Sequence, residues 1–401
     1  MVTRSWIRRL FARTPRNVRK STPPRRPTVR LSLEFLEDRI APAQFTLTSL
    51  ADDNTPGTLR YDITQANANG QANTIFIPGS LVSFLGFGGT IALSGTQLPA
   101  ITSTLTIVGD HLNGFGGPIT PFILSGNNQS RVLEVASTGN LTVDNLIVSG
   151  GMTAADGGGI LNEGTLTLMD VTVSANQAVH GGGIANDGTL TLNTATVTNN
   201  LATAAGGGLY TWAGTLTLNQ VTVSNNQVKI PAGQYGSGGG SGFAAPGLNG
   251  DGGGLAVTGG SVQVTASSIT GNLAQGGSGA NGANGANQGP ALPPPTTYGD
   301  SGQNGQTGGN GVAGGTGGEG RGGGIAVLGG SLAIIGSTVA DNTAQGGAGG
   351  NGGQGGAGQN GQDGAPGQPS TFGGGGGVGG NAGRGGDGGA GGVRHRGWSL
   401  L

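Results

Sequence analysis

Two carboxylates, Glu163 and Asp187, stand one repeat apart, and each directly precedes a glycine, Gly164 or Gly188. If successive repeats lie over one another as paired strands, the two Cα atoms come within about 5 Å. Such a pair can share a proton, bind Ca²⁺, or divide the work of acid and nucleophile on a glycoside. Trp212 lies in the following repeat, where a sugar ring can stack on the indole. A plainer reading competes: an acidic residue before glycine is the usual occupant of an exposed turn. The turn reading is the one adopted, so no catalytic residue is expected, with Glu163 and Asp187 as the runner-up pair.

A second column stands immediately before each glycine triplet: Asp156, His180, Ala205, Asp251 and Arg321. Asp156 and His180 become neighbours on stacking, and a carboxylate can orient an imidazole as general base. No nucleophile or third ligand accompanies them. His111 and His395 stand apart, so neither a metal nor a cofactor is expected. The Gly-rich stretches also lack a calcium nonapeptide, because Asn249-Gly250-Asp251 and Gly386-Asp387 have neither the spacing nor the following aliphatic residue. Their G-x-G-x-x-G strings sit in no strand–helix unit and are composition rather than nucleotide loops.

These columns exist because one sentence recurs. Glycine triplets begin at Gly157, Gly181, Gly206, Gly252 and Gly322, each followed by Ile160, Ile184, Leu209, Leu255 or Ile325. Leu166, Leu190, Leu216, Val262 and Leu332 come next, and Val173, Val197, Val223, Ile269 and Val339 follow. Each copy closes on Asn176, Asn200, Asn226, Asn272 or Asn342. Within a copy, Thr165-Leu166-Thr167-Leu168 alternates at period two, which is a half-buried strand and not a helix. Three short strands and three turns account for the period. One such coil cannot bury its apolar face alone, whereas stacked coils can. The expected fold is all-β, a single-stranded parallel β-helix with a Leu/Ile/Val interior. The five asparagines are read as structural: Asn tolerates the left-handed conformation of a tight corner, and stacked amides can bond along the axis.

Earlier coils are less regular. Ile75-Ile77, Ile91-Leu93 and Leu105-Ile107 are read as one coil, and Phe122-Leu124, Val132-Val135 and Leu141-Val148 as a second. Leu59, Ile63 and Ala66 fall at helical spacing after Pro56-Gly57, so a cap helix is expected over about 55–68, closing the first coil. The β-helix is expected to span 44–345. Gly-rich inserts, 227–251 and 273–321, leave from one corner, and a Gly-rich low-complexity tail occupies 346–401. Inserts on one face often mark a binding face, but surface loops also grow at little cost. Runs such as Gly347 to Gly353 carry no large apolar residue, so flexible coil is the default and packed polyproline-II rods the minority reading.

The 91 glycines in 401 residues, with 9% charged and 4% aromatic side chains, exclude an ordinary α/β enzyme. The net charge of −1 conceals a split. Eleven Lys or Arg crowd into residues 1–39, a basic Pro-containing leader (1–43) read as disordered. The rest is mildly acidic, which argues against nucleic-acid binding. No segment is apolar enough for a conventional signal or a membrane span, and Arg8-Arg9-Leu10-Phe11 is at most a faint twin-arginine string. The absence of cysteine removes disulfides from consideration.

Leu31-Ser32-Leu33-Glu34-Phe35-Leu36-Glu37-Asp38-Arg39 resembles the Leu-Glu-x-Leu-Glu-x-Arg leader of large bacterial surface proteins. Residues 45–345 resemble bacterial β-helix proteins of the pectin-lyase-like superfamily, close in style to polymorphic outer-membrane-protein repeats. Pro56-Gly57-Thr58-Leu59-Arg60 and Ala66-Asn67-Ala68 are similar to the cap of that group. The resemblance implies a right-handed helix. The expected role is a non-enzymatic scaffold, extracellular or at the cell surface, whose Gly-rich segments meet carbohydrate, other envelope components or a second copy. The alternative is a polysaccharide lyase or hydrolase.

Overall fold

The computed structural model describes residues 42–82, 89–112, 117, 120–233, 244–289, 293, 303–360, 384, 387, 390, 399 and 400. The basic leader up to residue 41, the run Gly373 to Gly377 and His395 lie outside the described residues. Thr-Leu-Thr-Leu segments form sheet I, nine parallel strands beginning at Gln44–Thr46 and ending at Ser331–Ile335. The Val-centred triplets form the eight strands of sheet II, from Thr90–Ala92 to Thr338–Ala340. The residues after the glycines build sheet IV, from Leu133–Val135 through Ile160–Asn162 and Leu209–Thr211 to Ile325–Val327, where Ser399–Leu400 adds a last strand. Every one of these pairings is parallel and links one coil to the next, which makes the chain a parallel β-helix.

Each regular coil carries four strands, one more than the aliphatic spacing predicts. Sheet III arises from the short stretch between Asn and the glycine triplet, as Gln177–His180 and Leu201–Ala205. It offers only a small inward residue, Ala178 or Ala202, and no alternation long enough to read in sequence. The early coils also divide differently from expectation. Ile75 pairs with Ile107, and Phe122 with Leu146, so the segments read as members of one coil are stacked in successive coils. Long connections between those strands dilute the period.

The interior is built by register. Leu166 pairs with Leu190, and Leu190 with Leu216; all three are at most 1% exposed. Burying each such side chain contributes about 1.5–3 kcal/mol, but only because the coil above covers it. At the start, helix Leu59–Asn69 buries Leu59, Ile63 and Ala66 and ends on Gly70 in the left-handed region (φ 63°). Arg60 pins this helix, bonding Asp52 through Nε at 2.8 Å and Nη2 at 3.0 Å and reaching the carbonyls of Thr96 and Gln97.

Asp62, on the same helix, is 3% exposed, and its Oδ2 has no hydrogen-bond partner. Burial raises its carboxyl above the ordinary value, against a backbone bond at Gly57 that lowers it. The unfolded chain therefore releases this proton first. The group's contribution to stability is intact below the unfolded value, about 3.9, and is lost as pH rises from there through the raised folded value. Asp62→Asn should flatten that loss, and denaturation midpoints compared from pH 3 upward will show it as a gain that appears only on the higher-pH side.

The corner asparagines do not themselves take the left-handed conformation. The residue before each does: Ala175 (φ 56°), Asn199 (56°), Asn225 (55°), Gly271 (66°) and Asp341 (55°). The asparagine that follows is buried in the first four of these corners, with its amide bonded along the column. At the next corner the first glycine of each triplet is left-handed, from 59° at Gly181 and Gly322 to 69° at Gly157.

Gly-rich inserts leave from one side of the solenoid, within sheet III. The strand that is continuous at Leu201–Ala205 is split in later coils: Leu201 pairs with Gln227, but Ala205 pairs with Asp251. Gly250–Asp251 then pairs with Gly320–Arg321. Between the two halves the chain runs out and back, and it is ordered by its own main chain. In the outgoing rod 276–288, the N–H groups of Gly279, Gly282, Gly285 and Gln288 donate to the carbonyls of Ala348, Asn351, Gln354 and Ala357. The returning rod 306–319 donates from Gly309, Val312, Gly315 and Gly318 to Ala286, Ala283, Ala280 and Gly277. Rod 345–359 donates from Gly347, Gly350, Gly353 and Gly356 to Gly318, Gly315, Val312 and Gly309.

One donor in every three residues, with no glycine of these rods at positive φ, is polyproline-II geometry. The three rods close a triangle, and 244–250 completes a second one against the same pair. In the described stretches the rod reading therefore displaces the flexible-coil default. Glycine at every third place is what allows it: a Cβ on Gly282 or Gly353 would come under 3.0 Å from a carbonyl oxygen of a neighbouring rod.

Candidate functional site

The Asp156–His180 pair forms as the column spacing implies. His180 Nδ1 lies 2.7 Å from Asp156 Oδ1 at the end of sheet III, where Gly157 and Gly181 turn the chain. Arg131 supports that corner, its Nη2 donating to the Asp156 carbonyl at 2.9 Å and its Nε to the Gly157 carbonyl at 3.1 Å. Arg131 also donates through Nη1 to Glu134 and Gln97, so four of its five guanidinium N–H groups are engaged. Beside it lies a cavity of about 820 Å³, bordered by Gln97, Ser130, Arg131, Met152, Gln177 and Val179. The cavity exists because sheet III begins only at Gln177; the earlier coils pass this face as loops.

Aromatic side chains continue the line across the glycine corner. His180 stacks on Tyr210 with centroids 4.8 Å apart and planes at 25°, and Tyr210 meets Trp212 at 5.5 Å. Tyr210 and Trp212 alternate outward from sheet IV. Thr211 between them turns inward and receives the Asn186 amide at 3.3 Å. Thr258 donates to the Tyr210 hydroxyl at 3.1 Å. Asp156, His180, Tyr210 and Trp212 are each partly exposed, giving a mixed polar and aromatic patch that is tied to the cavity wall through Arg131.

Glu163 and Asp187 lie in the turns between sheets IV and I. Their backbone N–H groups donate to the Val135 and Asn162 carbonyls, both at 2.8 Å. Stacking thus places them in one column, with Trp212 donating to the Asn186 carbonyl one coil on. Neither carboxylate takes a hydrogen bond among the described residues, so nothing fixes the pair in a shared orientation. Asp251 and Arg321, the far end of the other column, close a bidentate ion pair at 2.6 and 2.8 Å where the rods leave the coil.

The asparagine column is the most ordered polar feature. Asn176, Asn200, Asn226 and Asn272 each donate both backbone N–H and Nδ2 to the Oδ1 of the next asparagine, at 2.9–3.1 Å. Each Nδ2 also reaches a sheet II carbonyl one coil back. Asn342 receives the last of these bonds. The ladder satisfies buried polar groups and leaves no lone pair directed at a ligand. Among the described residues no group of three His, Cys, Asp or Glu is placed to hold a metal.

No protein-family model, no curated protein and no solved structure matches the chain. The site is therefore read from its own geometry. Sequence reasoning missed Arg131, Gln97 and Tyr210. Tyr210 did leave a signal: the places it pairs with in sheet IV are Ala185 and Ala256, so one large ring interrupts a small column.

Proposed function

We propose that the chain is a non-enzymatic scaffold, secreted or held at a cell surface, which contacts carbohydrate or other envelope components. A β-helix of the pectin-lyase-like kind, with repeats in the style of polymorphic outer-membrane proteins, is the architecture this reading assumes. The observation that carries it is the fusion of the Gly-rich rods to sheet III by main-chain bonds. A lateral platform ordered in that way, with small neutral side chains such as Asn281, Asn284, Asn351 and Gln354 exposed, suits broad contact more than turnover. Antibody to the rods should label intact cells, and the purified chain should retain members of a panel of acidic and neutral polysaccharides without cleaving them. Signal only after cell lysis, or no retention of any polymer, would contradict it.

A second reading has its own observation. The Asp156–His180 contact beside Tyr210, Trp212 and the cavity is an arrangement a sugar-processing enzyme could use. Turnover of any polysaccharide in that panel, abolished by Glu163→Gln, Asp187→Asn or His180→Ala, would favour it. Trp212→Ala distinguishes the two readings, since it should weaken retention if sugar stacks beside Tyr210 and leave it unchanged if the rods carry the contact.

A further inference from the structure

We propose that the outer face of sheet I binds ice, its ligand being the ordered water lattice of a crystal face. Thr74, Thr106, Thr142, Thr167, Thr191 and Thr217 are paired each to the next, so six threonines form one unbroken outward column. Beside its last three members stands a second column, Thr165, Thr189 and Thr215. Leu166, Leu190 and Leu216 lie between the two columns and are sealed in the interior, which fixes both threonine rows to the outside. The first column is partly exposed and the second exposed. None of these nine hydroxyls bonds another described group.

Strand propensity alone does not give such a column. An outward strand place suits Val, Ile or Tyr as well as Thr, and solvated strands often carry Lys. Sheet II shows that mixture: the column through Thr172, Thr196 and Thr222 has Ile123 and Ile147 before it and Ser268 after it. Copying of the repeat does not give it either. Thr74, Thr106 and Thr142 belong to early coils that lack the glycine triplet, yet they keep threonine at this place.

Spacing and charge identify the ligand. Paired strands repeat about every 4.8 Å, and alternate residues of one strand stand about 6.6 Å apart. Water molecules joined tetrahedrally at about 2.75 Å lie about 4.5 Å apart across a shared neighbour and repeat about every 7.3 Å along the hexagonal axis. Across the three ranks where both columns are complete, the misfit stays below about 1 Å in either direction. Threonine is β-branched, so its hydroxyl and methyl are held by a stiff χ1 before any ice is met. Ice is a neutral lattice, whereas a charged side chain holds a hydration shell of its own. The six strands that carry the column contain one charged residue, Asp144, at the last place of its strand. This role needs neither the Gly-rich rods nor the cavity beside Arg131.

A protein anchored on ice makes the front bulge between anchored molecules and halts growth below the melting point. The full 401-residue chain should therefore open a gap between the freezing and melting temperatures of a single ice crystal, and should slow grain growth in annealed polycrystalline ice. Thr142→Lys with Thr191→Lys, and separately Thr106→Gln with Thr191→Gln, should each raise the concentration needed by at least about tenfold. Thr196→Lys, on the outward side of sheet II, should leave it unchanged. Circular dichroism identifies which sheet I variant keeps the parent fold, and that one decides. No effect of the parent chain on ice at any concentration, an effect indifferent to a folded sheet I variant, or an effect lost equally in Thr196→Lys overturns the proposal. Polysaccharide retention is read separately, so the scaffold reading and this one can fail independently.

Discussion

Asn226→Ala should cost about 3–5 kcal/mol of folding stability. Asn226 is 0% exposed and sits in the middle of the ladder. Its Oδ1 accepts Asn200 N–H at 3.0 Å and Asn200 Nδ2 at 2.9 Å, and its Nδ2 donates to Asn272 Oδ1 and the Val197 carbonyl. Alanine leaves the Asn200 N–H without a partner and weakens the satisfaction of three further buried groups. Each unmet group costs about 1–3 kcal/mol, and a hydrogen-bonded chain loses more than its separate members. Asn226→Asp retains the acceptor but buries a carboxylate and removes the donor, so it should be no better at neutral pH. Urea denaturation followed by circular dichroism measures both. Losses below about 1 kcal/mol would mean that the column is ornamental.

The second large effect should appear in the rods without touching the solenoid. Gly315 donates to the Ala280 carbonyl and accepts from Gly350, and a Cβ there would run into the Ala245 carbonyl oxygen. Gly315→Val therefore cannot be absorbed by a flexible side chain giving way, because the obstacle is backbone. Amide hydrogen exchange in 276–288 and 345–359 should accelerate by about tenfold or more. Exchange in Thr165–Met169 and its stacked partners should stay as slow as before. Thr316→Ala, an exposed position one residue on, serves as the control and should change neither. Uniform acceleration across coils and rods would instead make the two parts one cooperative unit.

The coil interior was legible because five copies keep the same residue types at Leu166, Val173 and their equivalents, and a period-two alternation leaves little choice of backbone. The asparagine ladder was legible for the same reason, since an invariant polar place between aliphatic ones implies a partner along the axis. What carries the left-handed turn was not legible. That task falls to Ala175, Asn199, Asn225, Gly271 and Asp341, whose identities share nothing except tolerance of the corner. Sheet III escaped notice because its strands, two to five residues long, bury mostly small residues such as Ala178 and Ala202 and leave no alternation to read. The rods were hidden in plain composition. Gly279-Ala280-Asn281, Gly282-Ala283-Asn284 and Gly285-Ala286-Asn287 repeat every three residues, and that period, more than glycine content, is what separates a rod from a coil. At the site, the pairing of Asp156 with His180 followed from their column. Arg131 and Gln97 did not, since they come from early coils whose spacing is irregular.

Everything above depends on successive coils lying in register, and the absence of cysteine makes that directly measurable. Thr167 and Thr191 are partners across adjacent coils of sheet I, pointing outward. Thr167→Cys with Thr191→Cys brings two Cα atoms about 4.8 Å apart, within disulfide range. Oxidation of that double variant should form the bond in nearly every molecule. Thr167→Cys with Thr217→Cys, two coils apart, should remain reduced. Efficient closure of the distant pair, or failure of the adjacent one, would contradict the stacking on which the fold, the ladder and the rods all rest.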